Sequence, residues 1–141
     1  MKPLIAIDLN CNIDGDSLKD FLKDMFQKFG ALDIVFIMDD DSLVEVDHKI
    51  VHTFYNISDV IENVNFLKKL SDKKRLSLHV NSLISLTSEL KKFPLIVVTD
   101  RKLKPKLDQL LFVFDGNSLK STNSSIIVSE NKNDNSDSEY I

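Results

Sequence analysis

Glycine is unusually scarce in this 141-residue chain, which has three copies, at Gly15, Gly30 and Gly116. Loops that cradle phosphate groups, and the fingerprint of dinucleotide-binding domains, need several glycines at close spacing. The sequence therefore excludes the common classes of nucleotide-binding enzyme.

Cysteine, arginine and long apolar runs are also scarce. The single cysteine, Cys11, excludes an internal disulfide and a zinc site built from cysteines. No apolar run approaches the roughly 20 residues that cross a membrane, and no signal-peptide pattern opens the chain, so we expect a cytoplasmic protein without membrane contact. Arg75 and Arg101 are the only arginines and the net charge is -4, which does not favour a nucleic-acid partner.

The residues that are present indicate a single globular domain, with 43% hydrophobic and 28% charged side chains. Four short apolar runs, at residues 3–8, 34–38, 94–100 and 110–116, each predict a strand that is buried on both faces. Apolar residues recur at helical spacing between Leu18 and Phe29, and Gly30 follows them as a stop, which predicts a helix. Weaker helical patterns cover residues 58–70 and 80–90.

Strands that alternate with helices predict an α/β fold. We expect a three-layer, Rossmann-like sandwich with a mainly parallel central sheet. Residues 49–55 mix β-branched side chains with His52 and predict one antiparallel edge strand. The predicted domain covers residues 1–128, and residues 129–141 predict a disordered acidic tail, because they contain almost nothing to bury.

An aspartate stands at the carboxyl end of each of the four predicted buried strands: Asp8, Asp39, Asp100 and Asp115. Parallel strands bring these ends to one edge of the sheet, where ligands of open α/β sheets bind. Converging carboxylates there would offer an oxygen-rich site for Mg²⁺. Aspartate is also a favoured turn and helix-capping residue, so a structural role is the alternative.

The segment Asp8-Leu9-Asn10-Cys11-Asn12 places three oxygen-bearing side chains at alternate positions, just before a turn and the first helix. It resembles the metal-ion-dependent adhesion site of von Willebrand factor A domains, whose first motif reads Asp-x-Ser-x-Ser. The strand that ends in Thr99-Asp100 is similar to the strand of that family that closes in Thr-Asp-Gly. The resemblance covers roughly residues 3–116 and is to the short, prokaryote-type members. It implies a Rossmann-like sandwich, one divalent cation and the binding of a partner protein, whose carboxylate would complete the metal's shell.

The chain departs from the family pattern at several positions. Asn10 and Asn12 stand where the family has serines, and Arg101 stands where a glycine is usual, next to Asp100. The family's Gly-Gly-Thr loop corresponds to residues 75–79, where Ser77 is the only hydroxyl. The implied metal ligands are therefore Asp8, Asn10, Asn12 and Asp100, with Ser77 and Asp39 as further candidates. We expect a protein-interaction module with a degenerate Mg²⁺ site.

Two other functions remain open from the sequence. Nucleases of the PIN and NYN type also open with a strand ending in Asp, so that Asp8, Asp39 and Asp100 would hold Mg²⁺ ions that activate a water against a phosphodiester. Alternatively, the chain has 11 Asn and 15 Ser, a composition typical of an AT-rich genome such as that of a virus or phage. A small acidic accessory protein that binds a basic partner would fit that composition.

Overall fold

The computed structural model describes residues 2–38, 42–71, 78–92, 94–104 and 111–121. Two of the candidate ligands, Asp39 and Ser77, lie outside the described residues, as does the predicted tail at 129–141. The described elements follow one another as β1 (Leu4–Asp8), α1 (Gly15–Phe29), β2 (Leu32–Met38), β3 (Ser42–Leu43), β4 (His52–Phe54), α2 (Ile57–Lys68), β5 (Leu78–His79), α3 (Asn81–Leu90), β6 (Leu95–Val98), β7 (Leu103–Lys104), β8 (Leu111–Phe114) and β9 (Leu119–Ser121).

A seven-stranded sheet forms the middle of the described structure, in the order β3-β2-β1-β6-β8-β9, with β4 also paired to β2. The four strands β2, β1, β6 and β8 run parallel to one another. The predicted edge strand is β4, which pairs antiparallel with β2. The described residues add two short antiparallel strands that the sequence did not predict: β3 pairs with β2, and β9 with β8.

Helices cover both faces of this sheet, so the predicted three-layer, Rossmann-like α/β sandwich is confirmed. Alternate side chains of β1 face opposite layers, as the pleat of a strand requires. Ile5 and Ile7 pack with α1 and α2, whereas Leu4 and Ala6 pack with α3 and the small β5-β7 pair. Because both faces are covered, every residue of β1 is buried, and its sequence is an unbroken apolar run until Asp8.

Helix α1 begins at Gly15, three residues before Leu18, the first apolar residue of the helical pattern in the sequence. The side chain of Asp14 caps the helix, because its Oδ1 accepts a hydrogen bond from the Ser17 N–H at 2.8 Å. Gly30 ends it with φ 76°, a conformation that glycine adopts without strain, and its N–H donates to the Phe26 carbonyl at 2.8 Å. The helix is held over the sheet by Phe21, whose ring stacks on Phe114 at 4.5 Å between centroids.

At the amino end of β2, a buried carboxylate ties several elements together. Asp33 accepts a hydrogen bond from Thr53 Oγ1 at 2.7 Å, and pairs with Lys92 Nζ at 2.7 Å and Lys2 Nζ at 3.6 Å. Burial raises the pKa of Asp33, but the hydrogen bonds from Lys92 and Thr53 and the two lysine charges lower it more, so that it lies below its ordinary value. This cluster links β2 and β4 to the residues that precede β1 and follow α3.

Candidate functional site at the carboxyl edge of the sheet

The strand order places the ends of β1 and β6 side by side. These strands pair in parallel, with Ile7 opposite Val98, and no strand lies between them. The chain leaves β1 through α1 to β2 on one side and enters β6 on the other side, so the gap between β1 and β6 is the switch point of the sheet. Of the candidate ligands, the structure brings Asp8, Asn10, Asn12 and Asp100 to this edge.

The carboxylate of Asp8 is completely buried and is held by four donors. Its Oδ2 accepts from Thr99 Oγ1 at 2.6 Å and from Arg101 Nε at 2.7 Å. Its Oδ1 accepts from the N–H of Asn10 at 2.9 Å and from Arg101 Nη2 at 2.8 Å. A carboxylate offers about four lone-pair positions, so these contacts use its hydrogen-bonding capacity.

Arg101 therefore grips Asp8 with two parallel hydrogen bonds, the geometry in which a planar guanidinium fits a carboxylate best. The Arg101 side chain is 2% exposed and that of Asp8 0% exposed, so this is a fully buried ion pair. Thr99 orients both partners: its hydroxyl donates to Asp8 and accepts from the Arg101 N–H at 3.0 Å. The Thr99 N–H in turn donates to the Phe114 carbonyl at 3.0 Å, which fixes this turn to β8.

The two asparagines of the motif lie in different surroundings. Asn10 is buried, and its side-chain oxygen accepts a hydrogen bond from the hydroxyl of Ser71, just beyond the end of α2. Asn12 is exposed, and its N–H donates to Oδ1 of the exposed Asp100 at 3.1 Å. The motif is thus tied on one side to α2 and on the other to the turn after β6.

Two further side chains at this edge are those of Cys11 and Asp115. Cys11 is half-buried, and burial raises the pKa of its thiol above the ordinary value, with the carboxylates of Asp8 and Asp100 adding to the rise. Asp115 accepts hydrogen bonds at Oδ1 from the N–H groups of Asn117 and Ser118, at 2.9 and 3.0 Å. This is the turn-stabilising role that the sequence left as the alternative for an aspartate at a strand end.

The residues present do not fit a divalent cation at Asp8. Mg²⁺ binds a carboxylate through lone pairs at about 2.0–2.1 Å, and it would have to displace the guanidinium that uses them. A Mg²⁺ ion bound beside Arg101 would also meet like charge in a buried place. Within the described ranges, no group of three or more His, Cys, Asp and Glu side chains is placed to hold a metal ion.

Arg101 is the site residue whose role the sequence missed. Arg101 is next to Asp100 in the sequence, but its side chain forms an ion pair with Asp8. The sequence did contain a signal for Arg101. Arginine occurs only twice in the chain, and Arg101 follows the end of an apolar strand by three residues. Ser71, whose hydroxyl donates to Asn10, carried no such signal.

The described fold and edge define a Rossmann-like α/β protein with an internally neutralised carboxylate at its switch point. Comparison of the chain with models of protein families, with curated proteins and with solved structures gave no match in any of the three. In the part of the chain that the structure describes, no helix combines the length and the apolar character needed to cross a membrane.

Proposed function

We propose that the protein is a protein-interaction module of the von Willebrand A-like type in which the guanidinium of Arg101 takes the place of the divalent cation. The observation that carries this proposal is the buried, two-pronged pair between Arg101 and Asp8. In a site of this type the cation neutralises the aspartate that ends the first strand. Here a side chain of the same chain supplies the positive charge, so that partner binding requires no Mg²⁺.

The surroundings of the pair support binding rather than chemistry. Asp8 has its oxygens occupied by four donors, so it is not placed to activate a water or to hold a metal-bound nucleophile. Asn12 and Asp100 are exposed at the same edge and form a polar rim, in which the backbone N–H of Asn12 donates to the carboxylate of Asp100. We further propose that the partner is another protein and that binding takes place in the cytoplasm.

The nuclease hypothesis needs the same aspartate for a different purpose. A metal-dependent nuclease would use Asp8 as a direct Mg²⁺ ligand, and the contacts of Arg101 oppose that use. Its second carboxylate, Asp39, lies outside the described residues. The acidic net charge of -4 also gives little attraction for a phosphodiester backbone.

The proposal is tested by affinity capture with the tagged full chain, once in buffer with a chelator and once with Mg²⁺. We expect the same stoichiometric partner at equal recovery in both buffers, because the cation is covalently part of the chain. Recovery that depends on Mg²⁺, or no stoichiometric partner in either buffer, would contradict the proposal.

A parallel assay incubates the protein with RNA and DNA in Mg²⁺ or Mn²⁺. We expect no cleavage. Cleavage that is lost in Asp8→Asn while circular dichroism shows that variant to be folded, and that is kept in the matched variant Asp115→Asn, whose aspartate stabilises a turn, would establish the nuclease instead.

A further inference from the structure

A pocket of about 450 Å³ lies between β2, α2 and the segment that joins β3 to β4. β3 pairs with β2 at Ile37 and β4 pairs with β2 at Ile34, while residues 46–49 between them pair with each other in a tight turn. The space enclosed by this turn, by β2 and β4, and by α2 is called the hairpin pocket. Its volume falls within the range of about 300–1,000 Å³ that small-molecule sites occupy.

The floor of the hairpin pocket is aromatic and apolar. Phe36 and Phe54 line it, with their rings edge to face at 6.1 Å between centroids and 82° between planes, and Leu67 of α2 lines it as well. All three side chains are buried and belong to the core between the sheet and the helices α1 and α2, which keeps the floor in place. An aromatic ring that rests on this floor gains edge-to-face or offset contacts with phenylalanine in addition to apolar burial.

Two opposite charges stand at the mouth of the pocket. Asp47 and Lys49 line it and are exposed to solvent. Among the described residues, neither side chain forms an ion pair, with the other or with a third group. The backbone holds both in position, because Val46 and Lys49 exchange two hydrogen bonds, at 2.9 and 3.0 Å, around Asp47 and His48 at φ 54° and 65°. A carboxylate and an ammonium group are therefore presented side by side to a ligand.

Two neutral side chains add acceptors to the lining. His52 Nε2 donates to the Lys49 carbonyl at 3.0 Å, since a carbonyl can only accept, so that Nδ1 of the neutral ring is an acceptor. Asn63 Nδ2 donates to the Asp59 carbonyl at 2.8 Å, which leaves the Asn63 side-chain oxygen to accept from a ligand. Together with Asp47, these groups suit a ligand ammonium with its three N–H donors, whereas Lys49 suits a carboxylate.

We propose that the hairpin pocket binds a free α-amino acid with an aromatic side chain. The ligand ring rests on Phe36 and Phe54, its ammonium group is held by Asp47 and Asn63, and its carboxylate pairs with Lys49. This site is separate from the pair of Arg101 and Asp8, and the inference does not depend on the proposed interaction module.

The test uses L-tryptophan as the probe, because the chain contains no tryptophan and the emission of the indole therefore reports the ligand alone. Its fluorescence anisotropy is measured while the full chain is titrated in. We expect the anisotropy to rise to saturation. Tryptamine, which lacks the carboxylate, and indole-3-propionate, which lacks the ammonium group, should each bind more weakly than L-tryptophan. In competition, L-phenylalanine should displace the probe better than L-leucine.

Two charge variants assign the ends of the ligand. Asp47→Asn keeps a residue that tolerates positive φ and should weaken L-tryptophan about three- to tenfold, but leave indole-3-propionate unchanged. Lys49→Met should weaken L-tryptophan to a similar degree and leave tryptamine unchanged. Glu45→Gln and Lys69→Met are the matched controls, since both side chains are exposed outside the pocket lining, and they should not change the affinity.

A third variant blocks the pocket itself. Asn63→Phe places a large ring in the space and should abolish binding of all three indole compounds, whereas Asn65→Phe, on the same helix but outside the lining, should not. Circular dichroism checks that each variant keeps its fold. The inference is overturned if L-tryptophan does not bind, if folded Asn63→Phe binds it as well as the wild type, or if either truncated compound binds as tightly as L-tryptophan. Stronger displacement by L-leucine than by L-phenylalanine would also reject an aromatic ligand.

Discussion

Replacement of Arg101 by methionine tests the buried ion pair most directly, since methionine keeps much of the length of the side chain and removes its charge. Asp8 would keep the hydrogen bonds from Thr99 and Asn10 and lose both bonds from the guanidinium. Each lost bond to a charged group costs about 1.5–3 kcal/mol, so the free energy of unfolding should fall by about 3–6 kcal/mol. That range agrees with the roughly 3–5 kcal/mol lost when one partner of a buried ion pair is removed.

The assay is urea unfolding followed by circular dichroism, arranged as a double-mutant cycle. Arg101→Met and Asp8→Asn should each be strongly destabilising, because each leaves one partner of the pair without the other. The double variant contains neither charge, so its loss should be smaller than the sum of the two single losses by about 2–3 kcal/mol. In thermal unfolding, the Arg101→Met variant should melt roughly 10–25 °C below the wild type.

The neighbouring residue provides a matched control. Lys102 is exposed, so Lys102→Met should change the free energy of unfolding by no more than about 0.5 kcal/mol. Two results would refute the reasoning about the pair. One is a loss below about 1 kcal/mol in Arg101→Met, well short of the cost expected for a buried ion pair. The other is strict additivity of Arg101→Met and Asp8→Asn, which would show that the two side chains stabilise the fold independently.

Three further perturbations follow from described contacts. The pKa of Asp33 in the folded protein lies below that of an unfolded aspartate, which is about 3.9. The ionised carboxylate therefore stabilises the fold fully above about pH 5, and this stabilisation is lost as the pH falls through the folded pKa. Lys92→Met removes its strongest positive partner and should move acid unfolding, followed by circular dichroism, to higher pH; an unchanged midpoint would count against the cluster. Since burial raises the pKa of Cys11, its thiol should react with a disulfide reagent more slowly than in urea-unfolded protein, and equal rates would contradict this. Gly116→Ala, at φ 102°, should cost about 1–3 kcal/mol in urea unfolding, whereas Gly15→Ala meets no atom within 4 Å and should not destabilise the protein.

The central layer of the fold was predictable from the sequence because its strands are buried on both faces. Such strands are apolar at nearly every position, so β6 and β8 stand out as unbroken runs, as do β1 up to Asp8 and β2 from Ile34 onward. Helix α1 was predictable because one of its faces is buried and the other is not. The short strands β3 and β9 were not predicted, since they have two and three residues and depend on a neighbouring strand for pairing.

The candidate site was predictable only in part, for a geometrical reason. Asp8 and Asp100 could be placed at one edge because each ends an apolar strand. The contact between Asp8 and Arg101 joins residues 93 positions apart and requires β1 and β6 to be neighbours, which no local pattern reveals. The direction of the Arg101 side chain depends in addition on the turn that Thr99 stabilises.

Because the pair of Arg101 and Asp8 is buried, a partner of the proposed module cannot gain binding energy from direct contact with it. A cation at the surface can accept a carboxylate from the partner, but the Arg101 side chain is 2% exposed and its guanidinium is turned to Asp8. Contact with the partner must therefore come from the exposed groups around the pair. The rim of Asn12 and Asp100 offers polar contacts, which contribute more to specificity than to affinity.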